Sequence, residues 1–271
     1  MDWHAAIGAW RLWSLAGDAS AQTLKTRTHY LRALAVANRG RLPFELTTDD
    51  LVAFLAQSGW QPETRKSARG AIRAFYRWAN ITGRSATDPS YLLPAVRIPP
   101  PRSKPIPPSV FAEALACADG RTRLMLQLGR FAGLRRAEIA TVHTSNLLGD
   151  ELRVLGKGRK IRHVPLVPVL FEQIRHAEPG WLFPGQDGGH LSPGHVGVLM
   201  SRALPEGWVP HSLRHRAGTD WYAVERDLFA VQELLGHAKA DTTRIYVETP
   251  SDARRRAVLG AVQLGAVATP A

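Results

Sequence analysis

Four separated segments carry side chains that could do chemistry together: Ala132-Gly133-Leu134-Arg135-Arg136-Ala137-Glu138-Ile139, Gly156-Lys157-Gly158-Arg159-Lys160, His211-Ser212-Leu213-Arg214-His215, and Leu235-Gly236-His237-Ala238 followed by Ile245-Tyr246. Arg135 and Arg214 are suited to an oxyanion that gains charge in a transition state, because guanidiniums are permanently charged, fork-shaped donors. A phosphodiester losing an alcohol presents such oxygens. Arg135 follows Gly133 at an expected helix start and Arg214 follows Pro210, so both could share an anion with helix N-terminal amides. Tyr246 could be a nucleophile only with help, since a phenol of pKa about 10 is scarcely ionised at neutral pH. His211 and the arginines could supply the base or the positive field, and His237, after Gly236, could donate to a non-bridging oxygen. Lys157, between two glycines, could be lowered beside a departing alkoxide and protonate it, with Lys160 as a rival. Glu138, three residues after Arg135 on the same helical face, could hold that guanidinium or remain a surface carboxylate. His211, His215 and His237 could also suggest zinc, but no carboxylate or cysteine spacing completes a ligand set.

Each segment alone is weak. In this order they resemble the tyrosine recombinase family of phage integrase and Xer type, with its Arg, Lys, His-x-x-Arg, His or Trp, and Tyr constellation. The compact intervals from His211 to His237 and on to Tyr246 are similar to the Xer and small integrase branch. The resemblance implies that Tyr246 attacks a DNA phosphodiester, leaving a 3′-phosphotyrosyl enzyme and a free 5′-hydroxyl, with Arg135, Arg214, His211 and His237 around the phosphate and Lys157 as general acid. It implies no cofactor, metal or ATP. Its partners would be double-stranded DNA, a homo-oligomer that forms a tetramer on two recombining sites, and accessory directionality proteins. The expected role is that of a compact phage-type or mobile-element integrase. Xer-like resolution of chromosome, plasmid or transposon dimers is the alternative, and a catalytically retired DNA-binding protein or a type IB topoisomerase lies further off. The implied fold is mainly α with a small antiparallel sheet: a helical N-terminal core-binding domain and an α+β catalytic domain, closing on DNA as a C-shaped clamp.

The elements that must position these residues are partly readable. Between Ile98 and Pro108 six prolines forbid a continuing helix or a central strand, so 99–108 is expected to be a semi-rigid linker between a helical domain, 1–98, and a catalytic domain, 109–271. In the first domain helices are expected over Thr23 to Ala37, over Thr48 to Gln57 with Thr47 or Thr48 as cap, and over Pro62 to Ile81, with Trp10 to Ala37 resembling a first core-binding helix. Arg65, Arg69, Arg73 and Arg77 recur every four residues beside an apolar face, and form either a solvated stripe or a DNA-backbone contact. After the linker, Ser109 is expected to cap a helix reaching about Cys117, Arg121 to Ala132 to form another, and Glu151 to Leu166 a β-hairpin with Gly156-Lys157-Gly158 at its tip. Tyr30, Tyr76, Tyr91 and Tyr222 lie in apolar patterns and are expected in the core. Ser251 to Gln263 reads as an amphipathic tail helix that could dock on its own domain or on a neighbouring protomer.

The 35 basic against 23 acidic side chains leave a formal charge of +12, which favours a polyanionic partner. Cys117 is the sole cysteine, which excludes an intrachain disulfide. Neither a leader pattern nor an apolar stretch of about 18 residues is found, so no membrane partner and a cytoplasmic location are expected.

Overall fold

The computed structural model describes residues 1–57, 59–99, 103–156, 158, 160–186 and 188–236. The chain divides into two compact units, Met1–Pro100 and Pro101–Ala271. The described residues are mainly helical with one small antiparallel sheet, as the expected fold class requires.

The first unit contains helices α1 (Trp3–Ala16), α2 (Ala21–Ala37), α3 (Thr48–Leu55) and α4 (Pro62–Ile81). The segment from Trp10 to Ala37 is therefore not one helix. Asp18 adopts a left-handed φ of 58° after Gly17, and Ser20 then caps α2 by accepting from the Thr23 N–H, so the chain turns between two helices. Thr47 caps α3 reciprocally with Asp50, and Pro62 opens α4 at a position where its missing N–H costs nothing. The apolar stripe of α4, including Ile72, Phe75 and Trp78, is buried against Trp10, Leu31, Leu34 and Leu51.

Two features of this unit depart from the sequence reading. The arginine row divides: Arg65 donates through Nε to the Leu55 carbonyl at 2.9 Å and Arg69 through Nη2 to the Leu93 carbonyl at 2.7 Å, while Arg73 and Arg77 are exposed. The first two guanidiniums thus tie loops to α4. Tyr91 is not a core residue; it sits in a turn after Pro89 and is 73% exposed, because no helix continues there to carry it inward. Tyr76 is fully buried, and its hydroxyl donates to the Pro43 carbonyl at 2.7 Å.

The second unit is built on α6 (Gly120–Phe131), which packs against α10 (Pro210–Glu225) and α9 (Pro193–Ala203), with α5 (Pro108–Cys117), α7 (Arg136–Ala140), α8 (Pro168–Arg175) and α11 (Leu228–Leu235) around them. Ser109 does not cap α5, since Pro108 already occupies its first turn and Pro107 stands at the cap. Asp119 caps α6 by accepting from the Thr122 N–H. The expected hairpin forms as β2 (Glu151–Leu155) and β3 (Ile161–Pro165), and a two-residue strand β1 (Leu147–Leu148), not foreseen, adds an edge. In the hairpin register Leu152 faces Val164 and Val154 faces Arg162, all four buried, so a cation occupies a core-facing position.

The Pro-rich stretch is fixed at its C-terminal half. Ile106 is fully buried and its N–H donates to the Ser212 carbonyl, while Lys104 donates to the Gly207 carbonyl and lies over the Trp208 ring. Residues 103–107 therefore belong to the second unit rather than to a spacer. No helix among the described residues is long and apolar enough to cross a membrane.

Replacing Tyr76 by Phe would leave the buried Pro43 carbonyl without its donor, at a cost of about 1–3 kcal/mol. Urea unfolding of the full chain should show a lower midpoint at constant slope, and an unchanged midpoint would mean that water reaches this carbonyl.

Candidate active site

The chain leaves α6 at Phe131 and reverses at Gly133, whose φ of +61° would strain any other residue. A Cβ there would also lie 2.7 Å from the Trp221 ring. The reversal stands Arg135 at the cap position of α7, where its N–H donates to Glu138 Oε2 at 2.9 Å and its Nη1 to Oε1 at 2.7 Å. Arg135 Nη2 also reaches the Gly236 carbonyl, at 3.2 Å, and the side chain remains 31% exposed.

Glu138 is buried, and Arg162 from β3 meets both of its oxygens, with Nη1 3.0 Å from Oε1 and Nη2 2.8 Å from Oε2. The Nε of Arg162 donates to the Leu234 carbonyl at 2.8 Å. Burial raises the Glu138 pKa, but the hydrogen bond and charge of Arg162, then the amide and charge of Arg135, outweigh it and hold the carboxyl at about 2. Glu138 is thus no free surface carboxylate.

Arg214 projects from α10 and is 1% exposed, donating through Nη1 to the Gly133 carbonyl and through Nη2 to the Leu235 carbonyl. Its Nη1 lies 3.9 Å from Glu138 Oε2. Three guanidiniums from the start of α7, β3 and α10 therefore surround one carboxylate. Their surplus positive charge favours an anion in the adjacent space.

That space is a cleft of about 850 Å³ lined by Leu134, Arg135, Arg136, Ser201, Arg202 and His211, with Met200 and Val198 on its apolar side. His211 stands in the first turn of α10 and packs at 4.5 Å against the ring of His215. Partial loss of hydration, then the charges of Arg214 and Arg135, lower its pKa, which favours the unprotonated imidazole that can accept a proton. His215 is buried behind it, with Nδ1 3.1 Å from Ser103 Oγ, and burial, followed by His211 and Arg214, lowers its pKa to about 4.

Of the residues singled out from sequence, the structure brings Arg135 and His211 to one cleft with Arg214 directly behind them. Lys157, His237, Tyr246 and the tail 251–263 lie outside the described residues. Their described neighbours Gly156 and Gly236 border a second hollow, of about 820 Å³, together with Lys160 and Arg162. Arg162 was missed by sequence reasoning. Its signal was alternation: counting back two from Val164 puts it on the inward face of β3, where a cation requires a carboxylate. Among the described residues no group of three His, Cys, Asp or Glu is placed to hold a metal.

Residues 109–252 match the phage integrase family. The chain belongs to that family: it is a tyrosine recombinase, of the enzymes that cleave and rejoin DNA. It is 31% identical to the tyrosine recombinase XerC of Rhodospirillum centenum over 91% of this chain and 83% of that one. Among solved structures it is similar to a lambda integrase dimer bound to a COC′ core site, with a TM-score of 0.71 at 16% identity over 89% of this chain and 96% of that one. It is also similar to XerH bound to difH in a pre-cleavage complex, with a TM-score of 0.64 at 21% identity over 90% and 80%. At these identities the two structures show the shared fold.

The lowered pKa of His215 makes the stability of the fold depend on pH. In the unfolded chain an ordinary imidazole takes its proton near 6.5, in the folded chain only near 4, so the unfolded state binds more protons between these values. Stability should be full above pH 6.5 and fall as the pH drops toward 4, whereas the contribution of Glu138 is lost lower, between about 4.5 and 2. Urea midpoints from pH 7 to pH 4 should fall less steeply for His215→Gln than for the wild type. Equal slopes would mean that His215 does not titrate abnormally.

Proposed function

We propose that this recombinase cleaves DNA through Tyr246 and that the cleft beside Arg135 and His211 receives the scissile phosphate. The observation that carries the reading is that Arg135 and His211 line one cleft, with the buried Arg214 behind them adding to its surplus of positive charge. In the step proposed, the Tyr246 phenol loses its proton to His211 as its oxygen bonds to phosphorus. The bond from phosphorus to the 5′-oxygen breaks, and Lys157 protonates that oxygen as it leaves. Charge growing on the non-bridging oxygens is met by Arg135 directly and by the field of Arg214 from behind it, and His237 donates to one of these oxygens. Lys160 remains the rival proton donor, because it borders the same hollow as Gly156 and Gly236. The free 5′-hydroxyl then attacks the phosphotyrosyl bond of a second duplex in the reverse of the first step, which conserves the phosphodiester and calls for no ATP and no metal.

The DNA partner is supported by likeness to integrase and XerH structures bound to DNA, and the excess of cations is compatible with it. In the first unit, Arg73 and Arg77 are the members of the arginine row left open for phosphates, whereas Arg65 and Arg69 are engaged with carbonyls. Exchange between two duplexes requires four strand cleavages, so a tetramer is the assembly proposed. Integration by a compact phage-type or mobile-element enzyme is one use of this chemistry. Resolution of replicon dimers is the other, and the likeness to XerC over nine-tenths of the chain favours it.

The test is a nicked suicide duplex carrying the target site. Wild-type protein should form a denaturation-resistant DNA adduct, and Tyr246→Phe should bind the duplex equally well and form none. An adduct persisting in Tyr246→Phe but lost in Tyr222→Phe would assign the nucleophile elsewhere. With the site in hand, a plasmid bearing two direct copies and a pair of plasmids bearing one each would separate resolution from integration by product.

A further inference from the structure

We propose that Arg162 is a positioning residue for strand cleavage, holding the β2–β3 hairpin, the carboxylate that orients Arg135, and the C-terminal end of α11 in a single arrangement. The inference rests on the proposed role of Arg135 at the phosphate.

A guanidinium on the inward face of β3 is an expensive choice, since Val154 opposite it and Val164 two residues on would accept an apolar neighbour. Arg162 is only 8% exposed, and all three of its guanidinium nitrogens are engaged, in two directions. Nη1 and Nη2 clasp Glu138, and Nε is turned away to the Leu234 carbonyl. An apolar residue of the same size could fill the volume. It would leave Glu138 buried with Arg135 alone as its close partner and leave the last turn of α11 unattached to the sheet.

The chain on either side of the proposed chemistry is in direct reach of this side chain. A Cβ built on Gly236 would lie 3.1 Å from Arg162 Nη1, and one built on Gly156 would lie 3.5 Å from the same atom. Gly236 immediately precedes His237 and Gly156 immediately precedes Lys157. Arg135 is two bonds of the network away, through Glu138, and Arg135 Nη2 closes the loop on the Gly236 carbonyl. A displacement of Arg162 therefore shifts the supports of three proposed active-site residues at once, although Arg162 itself lies behind them.

The test uses the full chain with Arg162→Lys, Arg162→Gln and Arg135→Ala on suicide duplexes. One duplex carries an ordinary scissile phosphodiester. The other carries a methylphosphonate there, which removes the non-bridging charge that Arg135 would meet. Both Arg162 variants should bind DNA within about twofold of wild type and cleave the phosphodiester on the order of 10–100 times more slowly, the usual cost of releasing a supporting side chain. Lys should be less impaired than Gln, because it can keep one contact to Glu138. On the methylphosphonate the deficit of Arg135→Ala should shrink toward wild type and that of Arg162→Lys should shrink in part, because the supports at Gly156 and Gly236 stay disturbed, and Arg135→Ala combined with Arg162→Lys should lose less than the product of the two single losses. Wild-type cleavage by either Arg162 variant overturns the inference, as does an Arg162→Lys deficit that is equal on both substrates, the mark of general loosening. If Arg135→Ala itself cleaves normally, the reading of the cleft fails first. A dead Arg135→Ala beside an active Arg162→Gln sinks the Arg162 role alone.

Discussion

One buried carboxylate organises the second unit. Glu138 sits out of water between Arg135 and Arg162, with Arg214 nearby, and a charge in that position is tolerated only because these partners meet both of its oxygens. The partners come from three distant parts of the chain: the start of α7, the strand β3 and the body of α10. Removing one member of such a buried pair typically costs about 3–5 kcal/mol, so the carboxylate constrains where all three elements can lie. Long-range order here comes from electrostatics, while the apolar core around α6 supplies the general cohesion.

The backbone is shaped to serve the same cluster. Gly133 and Gly236 both adopt left-handed φ values of 61°, one after α6 and the other after α11. These turns end the helices so that the carbonyls of Gly133 and Leu235 point inward and accept from Arg214. Arg214 is consequently rigid and nearly dry, whereas Arg135 is partly open to the cleft. Two guanidiniums with different exposure are what anion recognition in a preorganised site calls for: one fixes the potential, the other can touch the ligand. On the same face of α10 as His211, the ring of His215 ties that helix to Ser103, so the stretch entering the unit is anchored beside the residues that line the cleft.

Legibility from sequence followed how local each cause was. The span of α4 was readable because its arginine and apolar stripes repeat at helical period, and the hairpin because β-formers flank a glycine-rich tip. The start of α2 was expected at Thr23, close to its place at Ala21, whereas the likeness of Trp10 to Ala37 to one helix overlooked Gly17 and Ser20, which end α1 and cap α2. Arg65 and Arg69 looked like members of a surface stripe because sequence does not reveal which loop carbonyl will fold back over a helix. Tyr91 was misplaced by extending a helical pattern past Pro89. In the candidate site, Arg135, His211 and Arg214 could be singled out through the order of their segments, whereas Arg162 showed only as an inward position in the alternation of β3. Its partner Glu138 lies 24 residues away on another element, and no spacing in the sequence links the two.

The claim that everything else depends on is that Glu138 is ionised and shared. The direct measurement is the pH titration of its side-chain carboxyl carbon by NMR in the folded protein. The structure predicts no titration near the ordinary glutamate value of 4.5 and a midpoint at about 2. The same titration in Arg162→Lys should move the midpoint upward. A wild-type carboxyl that titrates near 4.5 while the protein remains folded would contradict the account, because the guanidiniums would then not be held around a common charge.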